Sequence, residues 1–204
     1  MEQIKEYEHV DLGLPSGLKW AKCNVGAEKE TDYGFYFQWG DVKNKSNADC
    51  TWENHKYYDD SHNTLTKYCN ISDYGTVDNK TTLDIEDDAA RTYMGGDWRM
   101  PTKAECEELI NNTTQEWVKD FNGSGVSGRK FTSKTDTSKY IFIPAAGYYG
   151  YGSEHYVGNY GGVWSSSLHT IYPYSACGLG FNLYNCYTGN NLRHGGRSVR
   201  GVRK

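Results

Sequence analysis

Residues 87–109 read DDAARTYMGGDWRMPTKAECEEL, and this stretch carries the strongest secondary-structure signals of the chain. In its second half, Thr102 and Glu105 have the spacing of a capping box, in which the two side chains satisfy backbone N–H groups at a helix N-terminus. An apolar stripe at the helical spacing i, i+3 and i+4 follows: Cys106, Leu109 and Ile110. The sequence therefore predicts a helix that begins after Thr102 and packs this stripe on a core.

A second helix is predicted over roughly Leu83–Met94, because acidic residues gather near its start, where the helix dipole favours negative charge. Calcium is the alternative for these acids, which are Asp84, Glu86, Asp87 and Asp88. Their spacing is not that of an EF-hand loop. We therefore interpret them as charge at a helix N-terminus.

Short strands are predicted where apolar and aromatic runs are bounded by glycine or proline. The runs are LKWA after the turn at Pro15–Gly17, DYGFYFQWGD at Asp32–Asp41, KYIFIPAAGYY, GGVWSSS, CGLGFNL and the final RSVRGVR. Val42 to about Lys80 is polar without a sustained period, which predicts a long loop. Short, mainly antiparallel strands with two helices and long loops give an α+β fold, and without a visible repeat or linker we expect residues 1–204 to form a single domain.

Composition excludes several classes of protein. A 204-residue chain with 15% aromatic residues is too aromatic for a disordered chain, although its mean hydropathy is −0.81. A net charge of −4 and an isoelectric point near 5.9 argue against a nucleic-acid partner. No apolar run approaches the length of a membrane helix, and the start, MEQIKEYEHV, lacks the apolar core of a signal peptide. We therefore expect no direct membrane insertion, and either retention in the cell until assembly or lysis, or prior removal of a leader.

The six cysteines lack both the CxxC pattern and zinc-ligand spacing. Six thiols allow 15 complete disulfide pairings, and the sequence does not choose among them. Without a signal peptide, we expect reduced and mostly buried thiols.

The segment from His169 to Gly195, HTIYPYSACGLGFNLYNCYTGNNLRHG, uses a restricted set of amino acids. At the overall charged fraction of 24%, about 6 of its 27 residues would be charged, but Arg193 alone is. It contains no Lys, Glu, Asp, Gln, Met or Trp, and is rich in Tyr, Asn and Gly. Such a mixture is typical of antibody paratopes, in which tyrosine supplies rigid contact area and small polar residues supply adaptable hydrogen bonds.

Six stretches together resemble a known family: VDLGLPSGLKWAKCNVGA, DYGFYFQWGD, DDAARTYMGGDWRMPTKAECEEL, IFIPAAGYY, GGVWSSSL and GRSVRGVR. In this order they are similar to the major paralogous domain common in gut Bacteroidetes and their phages. That domain is related to formylglycine-generating sulfatase-modifying factors, and the resemblance implies their C-type-lectin-like fold. It covers about Val10 to Arg203 and is weakest in Val42–Lys80.

Within this family, residues 168–195 resemble the variable segment of diversity-generating retroelement proteins. In those systems, adenine mutagenesis randomises the first two bases of Asn codons, which cannot then encode Lys, Glu, Gln, Met or Trp. The resemblance implies diversified, ligand-binding positions at His169, Ile171, Tyr172, Tyr174, Ser175, Cys177, Gly178, Gly180, Tyr184, Asn185, Cys186, Tyr187, Asn190, Asn191, Leu192, His194 and Gly195. The four tyrosines are expected to be aromatic anchors.

Between these positions lie residues that we interpret as fixed scaffold: Leu168, Ala176, Leu179, Phe181 and Arg193. If Leu179 and Phe181 face the core at the period of two of a strand, Gly178 and Gly180 face outward.

The sequence thus predicts a non-enzymatic ligand-binding protein without a cofactor, a metal or catalytic residues. The resemblance implies display on a phage tail or a bacterial surface, with a protein or glycan on a host or neighbouring cell as partner. A fixed surface domain of the same fold, which binds polysaccharide or protein, stays an alternative. So does a formylglycine-type oxidase, in which Cys177 and Cys186 would bind copper, although we favour codon diversification as their origin. Ligand identity and oligomeric state stay open.

Two further motifs have metal or phosphate alternatives. HKYYDDSH contains residue types that bind metals, His55, Asp59, Asp60 and His62, but we predict a solvated loop. GYYGYGSEHY lacks the Lys-Ser/Thr end of a phosphate loop and is predicted to be an exposed loop near the binding face.

Overall fold

The computed structural model describes residues 6–204, which form small, mostly antiparallel sheets and two helices, an α+β arrangement. The helices are α1 (Ala89–Met94) and α2 (Lys103–Asn112). The strands are β1 (His9–Asp11), β2 (Lys19–Ala21), β3 (Tyr58–Asp59), β4 (Thr64–Leu65), β5 (Thr113–Val118), β6 (Gly128–Ser133), β7 (Tyr140–Pro144), β8 (Tyr148–Gly150), β9 (Ser153–His155), β10 (Tyr160–Leu168), β11 (Ser175–Asn182), β12 (Cys186–Leu192) and β13 (Val202–Arg203). Within the described residues they pair as β1–β2–β13, β3–β4, β5–β6–β7, β8–β9 and β10–β11–β12.

Helix α2 confirms the prediction from the capping box. The Thr102 hydroxyl accepts a hydrogen bond from the Glu105 N–H at 3.3 Å, and the Glu105 carboxylate accepts one from the Thr102 N–H at 2.7 Å. Cys106 and Leu109 are fully buried, and Ile110 packs beside them. The apolar stripe therefore faces the core as expected.

Helix α1 is shorter than the predicted Leu83–Met94. It begins at Ala89, and Asp88 is its N-cap, with a carboxylate that accepts the Arg91 N–H at 2.9 Å. Residues Ile85–Asp87 form a 3₁₀ turn instead. The helix does not extend through this turn because the backbone of Asp88 is extended, with φ of −91° and ψ of 110°. The Asp87 side chain points inward, where it binds lysine and tyrosine side chains of the preceding loop.

The sheet β10–β11–β12 lies between two hydrophobic clusters. Leu179 and Phe181 of β11 point to one cluster together with Leu109 of α2. Ala176 of β11 and Trp164 of β10 point to the other cluster. The alternation of faces confirms that the predicted scaffold residues are buried.

The aromatic run at Asp32–Asp41 does not form the predicted strand. Phe37 exchanges two backbone hydrogen bonds with Arg197, of 2.9 and 3.0 Å, and this bridge is isolated. Gly34 and Gly40 at its ends have φ of +74° and +81°, which turns the chain away on both sides. The run is buried nevertheless, with Trp39 fully inaccessible.

The segment Val42–Lys80 is less loop-like than predicted. It contains the hairpin β3–β4 and contributes Leu65, Tyr68 and Cys69 to the buried interior. The predicted final strand is confirmed only at β13, since Ser198 forms just an isolated bridge to Val163.

Within residues 6–204, no helix combines the length and apolarity needed to cross a membrane. The first half of MEQIKEYEHV, residues 1–5, lies outside the described residues. All six thiols are unpaired; four of them are buried, as expected, and those of Cys23 and Cys186 are half-buried.

Candidate functional site: a tyrosine-lined groove

A groove on the β10–β11–β12 sheet is lined by tyrosines, asparagines and one arginine. Its volume is about 390 Å³, and its lining residues are Tyr148, Tyr156, Asn159, Tyr160, Asn182, Tyr187, Asn191 and Arg197. Tyr187 precedes Thr188, whose hydroxyl donates to Glu107 of α2 at 3.0 Å. Because successive strand residues point to opposite faces, the groove lies on the face away from α2.

The floor of the groove depends on a pair of glycines. Gly162 of β10 is directly opposite Gly180 of β11. A Cβ atom at Gly180 would lie 2.7 Å from the Tyr160 hydroxyl, and one at Gly162 would lie 2.5 Å from Nη1 of Arg197. Because glycine has no Cβ atom, the side chains of Tyr160 and Arg197 have room to lie across the sheet at Gly162 and Gly180.

Arg197 is the charged residue of the groove, and its side chain is mostly buried at 6% exposure. Its Nη1 donates to the Tyr160 hydroxyl at 3.1 Å, and its Nη2 donates to Oδ1 of Asn191 at 2.5 Å. The guanidinium also lies 4.8 Å from the ring centroid of Tyr148. All three contacts are neutral, so they orient the cation without cancelling its charge.

The hairpin β8–β9 supplies the aromatic wall. Tyr149 and Gly196 exchange backbone hydrogen bonds of 2.8 Å, and the Tyr149 ring stacks on Tyr36 at 3.9 Å. This attachment holds Tyr148 inside the groove and leaves Tyr156, at the hairpin's end, 65% exposed at the rim. The stretch predicted as an exposed loop near the binding face is thus a hairpin that lines the groove.

The predicted ligand-binding residues divide by exposure. The exposed ones are Ile171, Tyr172, Tyr184, Asn185, Tyr187, Asn190 and Leu192, and the half-buried ones are His169, Tyr174, Cys186, Asn191 and Gly195. Of all the predicted residues, Tyr187 and Asn191 line the groove.

The exposed tyrosines do not form one continuous patch. Tyr172, stacked on His169 at 5.4 Å, lies in the turn before β11, whereas Tyr184 lies in the turn after it. The 8 residues of β11 separate these turns by roughly 25 Å. Tyr184, beside Asn182, adjoins the groove, whereas Tyr172 is not among its lining residues.

Tyr174 is an internal anchor and not the exposed contact that was predicted. Its ring packs edge-on against Trp52 and Tyr74, each at 5.2 Å between centroids. Its hydroxyl donates to the Asn63 carbonyl oxygen at 2.7 Å. These contacts attach the Val42–Lys80 segment to the sheet.

Five further predicted residues are buried: Ser175, Cys177, Gly178, Gly180 and His194. Gly178 and Gly180 lie on the face opposite Leu179, as predicted, but a Cβ atom there would meet the Val163 carbonyl oxygen at Gly178, and the hydroxyl of Tyr160 and the ring of Tyr187 at Gly180. Cys177 shares the face of Leu179, on which α2 packs. The pattern of a single strand does not reveal that both of its faces are covered.

His194 is enclosed by rings instead of pointing to solvent. Its imidazole lies 4.8 Å from Trp52 and 5.4 Å from Tyr151. Burial lowers the pKa of His194. Its Nδ1 has no hydrogen-bond partner within residues 6–204.

Cys177 and Cys186 are too far apart for a disulfide or a shared copper ion. On β12, Asn190 is the residue opposite Cys177, and it lies four positions from Cys186. Four strand residues span roughly 13 Å, whereas bridged cysteines have Cα atoms about 4.4–6.8 Å apart.

The acids before α1 surround a lysine. Asp84, Glu86 and Asp87 bring carboxylate oxygens within 4.8 Å of one another. Nζ of Lys67 lies among them, 2.7 Å from Asp84 and from Asp87 and 3.6 Å from Glu86. The prediction of helix N-terminal charge is therefore wrong for this trio, which pairs with an ammonium group, and holds for the capping Asp88.

The predicted solvated loop at HKYYDDSH is confirmed for Asp60 and His62, which are exposed, and wrong for His55, which is buried. Nδ1 of His55 accepts the Tyr57 N–H at 3.2 Å, so Nε2 carries the proton and donates to the Trp39 carbonyl at 3.1 Å. Both ring nitrogens serve the interior and are not turned to a metal.

The groove residues that the sequence analysis did not assign are Tyr148, Tyr156, Asn159, Tyr160, Asn182 and Arg197. The sequence predicted GYYGYGSEHY to lie near the binding face, and this was the one signal that Tyr148 and Tyr156 belong to the site. Comparisons of the chain with protein-family models, curated proteins and solved structures found no match. The fold and the groove therefore define this protein as an α+β protein with a tyrosine-rich surface groove.

Proposed function

We propose that this protein recognises a ligand through the tyrosine-lined groove and the adjacent turn at Tyr184. The observation that carries the proposal is the composition of the groove, in which tyrosine, asparagine and arginine side chains converge above the pair Gly162 and Gly180. Its volume of about 390 Å³ falls in the range of ligand sites. Tyrosine and arginine are also the residue types that most often dominate binding energy.

The proposal includes a C-type-lectin-like fold and diversification by a retroelement, with display on a phage tail or bacterial surface. A protein or glycan on a host or neighbouring cell would be the partner. Burial limits diversification to exposed and half-buried positions, among them Ile171, Tyr172, Tyr184, Tyr187 and Asn190. Sequencing the gene with its flanks tests this part. A downstream near-copy of the 3′ end that differs at adenines, beside a reverse transcriptase gene, supports it, and its absence contradicts it.

A fixed binding domain without diversification is the second candidate. It is favoured by the origin of the groove, because Tyr148, Tyr156, Tyr160 and Arg197 lie outside the restricted segment. It is also favoured by Gly178, a position predicted to vary. A Cβ atom there would lie 2.6 Å from the Val163 carbonyl oxygen, which leaves no space for a side chain. The oxidase alternative loses its basis with the separation of Cys177 from Cys186.

Binding is tested with Tyr156→Ala combined with Tyr187→Ala. We expect this pair to weaken binding to glycan arrays and intact bacterial cells by about tenfold or more, because exposed tyrosines act as anchors. The melting temperature should change little, since both side chains are at the rim, 65% and 44% exposed.

Tyr172→Ala is the matched control, because Tyr172 is 55% exposed but does not line the groove. Equal loss of binding in the control, or no loss in the groove variant, would place the ligand elsewhere. Tyr174 is left unchanged, since its replacement would disturb the packing against Trp52.

A further inference from the structure

We infer that the groove selects a saccharide that carries a carboxylate, and that Arg197 binds this carboxylate. The inference rests on the proposed function and names the chemical class of ligand for the same groove.

Of the four buried arginines in residues 6–204, Arg197 is the one that lines the groove; the buried Arg129 donates to the Asn182 carbonyl oxygen. Arg200 donates to four oxygens, which belong to Asn24, Ala21, Lys22 and Phe142. Arg193 donates to the carbonyl oxygens of Lys67, Tyr68 and Pro173. Arg197 donates to two neutral side chains, and no carboxylate of residues 6–204 forms a salt bridge with it. A guanidinium has five N–H donors, so this cation has donors left and opens onto the groove.

The charge of the groove is opposite to that of the protein. The chain has a net charge of −4, but the groove lining contains one arginine and neither Asp nor Glu. A partly buried cation without a counterion favours a bound anion. A single guanidinium fork matches a planar carboxylate through two parallel hydrogen bonds, and one positive charge matches a monoanion.

The tyrosines provide faces for a sugar ring. Tyr148 and Tyr160 are nearly perpendicular, at 88° with 6.3 Å between centroids, and Tyr156 and Tyr187 continue the wall to the rim. The C–H face of a pyranose packs on such rings.

Two of the three asparagines of the groove, Asn182 and Asn191, present their amide donors. Oδ1 of Asn182 accepts the N–H groups of Tyr184 and Asn185, and Oδ1 of Asn191 accepts from Arg197. These bonds fix which way each amide points, so the Nδ2 groups of Asn182 and Asn191 are the atoms left for sugar hydroxyls. Arg197 therefore matches the carboxylate of the saccharide, the tyrosine rings match its pyranose ring, and the asparagine amides match its hydroxyl groups.

The experiment uses an array of uronic-acid and nonulosonic-acid saccharides, each in its free acid and methyl-ester form, together with a glutamate-rich peptide. Esterification removes the charge and keeps the ring and hydroxyls. We expect the protein to bind at least one free acid about tenfold or more tightly than its ester, and more weakly as salt is raised.

Arg197→Gln should abolish this preference, and Arg197→Lys should keep only part of it, because an ammonium group cannot form the paired hydrogen bonds. Arg203→Gln is the matched control, since Arg203 lies over Trp98, outside the groove. If Arg197→Gln does not fold, the comparison of acid with ester on the unchanged protein still decides the question.

The outcomes separate this inference from the proposed function. Equal binding of acid and ester that is lost in the Tyr156 and Tyr187 variant overturns the role of Arg197 and keeps the groove as the site. Binding of the glutamate-rich peptide in preference to all saccharides overturns the class of ligand. Saccharide binding that neither the tyrosine nor the arginine variants change overturns both, and no binding of any free acid overturns the inference.

Discussion

At the scale of single residues, the space around Gly178 decides whether this position of the restricted segment can carry a side chain. A Cβ atom at Gly178 would lie 2.6 Å from the Val163 carbonyl oxygen, which is backbone and cannot turn aside. We expect Gly178→Ala to lower the free energy of unfolding by about 1–3 kcal/mol, as overpacking does. Chemical denaturation measures this change.

Gly150→Ala is the matched control for Gly178→Ala. Gly150 also lies in a strand and is buried, but a Cβ atom there would be 3.6 Å from its first neighbour, an ordinary contact. If both variants are equally stable, position 178 tolerates side chains, and the prediction that it is diversified regains its basis.

At the scale of elements, Asp87 attaches the Val42–Lys80 segment to the turn before α1. Its side chain is fully buried and accepts from Lys56 at 2.6 Å, Lys67 at 2.7 Å, and Tyr57 and Tyr68 at 2.5 Å. Burial raises the pKa of Asp87, but these hydrogen bonds outweigh it and lower the pKa to about 2.

Asp87→Asn should therefore destabilise the protein by about 2–4 kcal/mol, because two lysines and two hydroxyls lose a charged acceptor. The loss should be seen as a lower unfolding midpoint and as faster proteolysis of Val42–Lys80. Asp60→Asn, a change at an exposed acid of the same segment, should leave both unchanged. Equal effects of the two variants would mean that Asp87 does not hold the segment.

The same elements show what could be predicted from the sequence. The capping box at Thr102 and Glu105 is a local signal, and α2 begins where it predicts. The inward turn of Asp87 depends on Lys67, twenty positions earlier, and no local pattern reveals it. The groove likewise combines residues that a local pattern identifies with residues that only the fold brings together. Tyr187 and Asn191 belong to the restricted segment, whereas Tyr148 and Arg197 come from other segments that only the fold brings beside them.

At the scale of the whole molecule, the aromatic interior makes stability depend on pH in mildly acidic solution. His55 is buried, and burial, assisted by the charge of Arg193, holds its pKa well below the usual 6.5. In the unfolded chain this histidine takes up a proton near pH 6.5. Below that pH the unfolded state binds a proton that the folded state does not, so the free energy of unfolding falls as pH falls.

We therefore expect the free energy of unfolding to fall by up to about 1 kcal/mol from pH 6.5 to pH 5.5 on account of His55, with a contribution of the same sign from His194. Denaturation at each pH measures this slope. His55→Gln should reduce the slope, because its side chain has no proton to gain, whereas His62→Gln, a change at an exposed histidine, should keep it. An unchanged slope in His55→Gln would show that His55 does not cause the loss of stability. A slope of opposite sign would mean that protonated histidine is favoured in the folded protein, contrary to the burial of His55 between Trp39 and Tyr57.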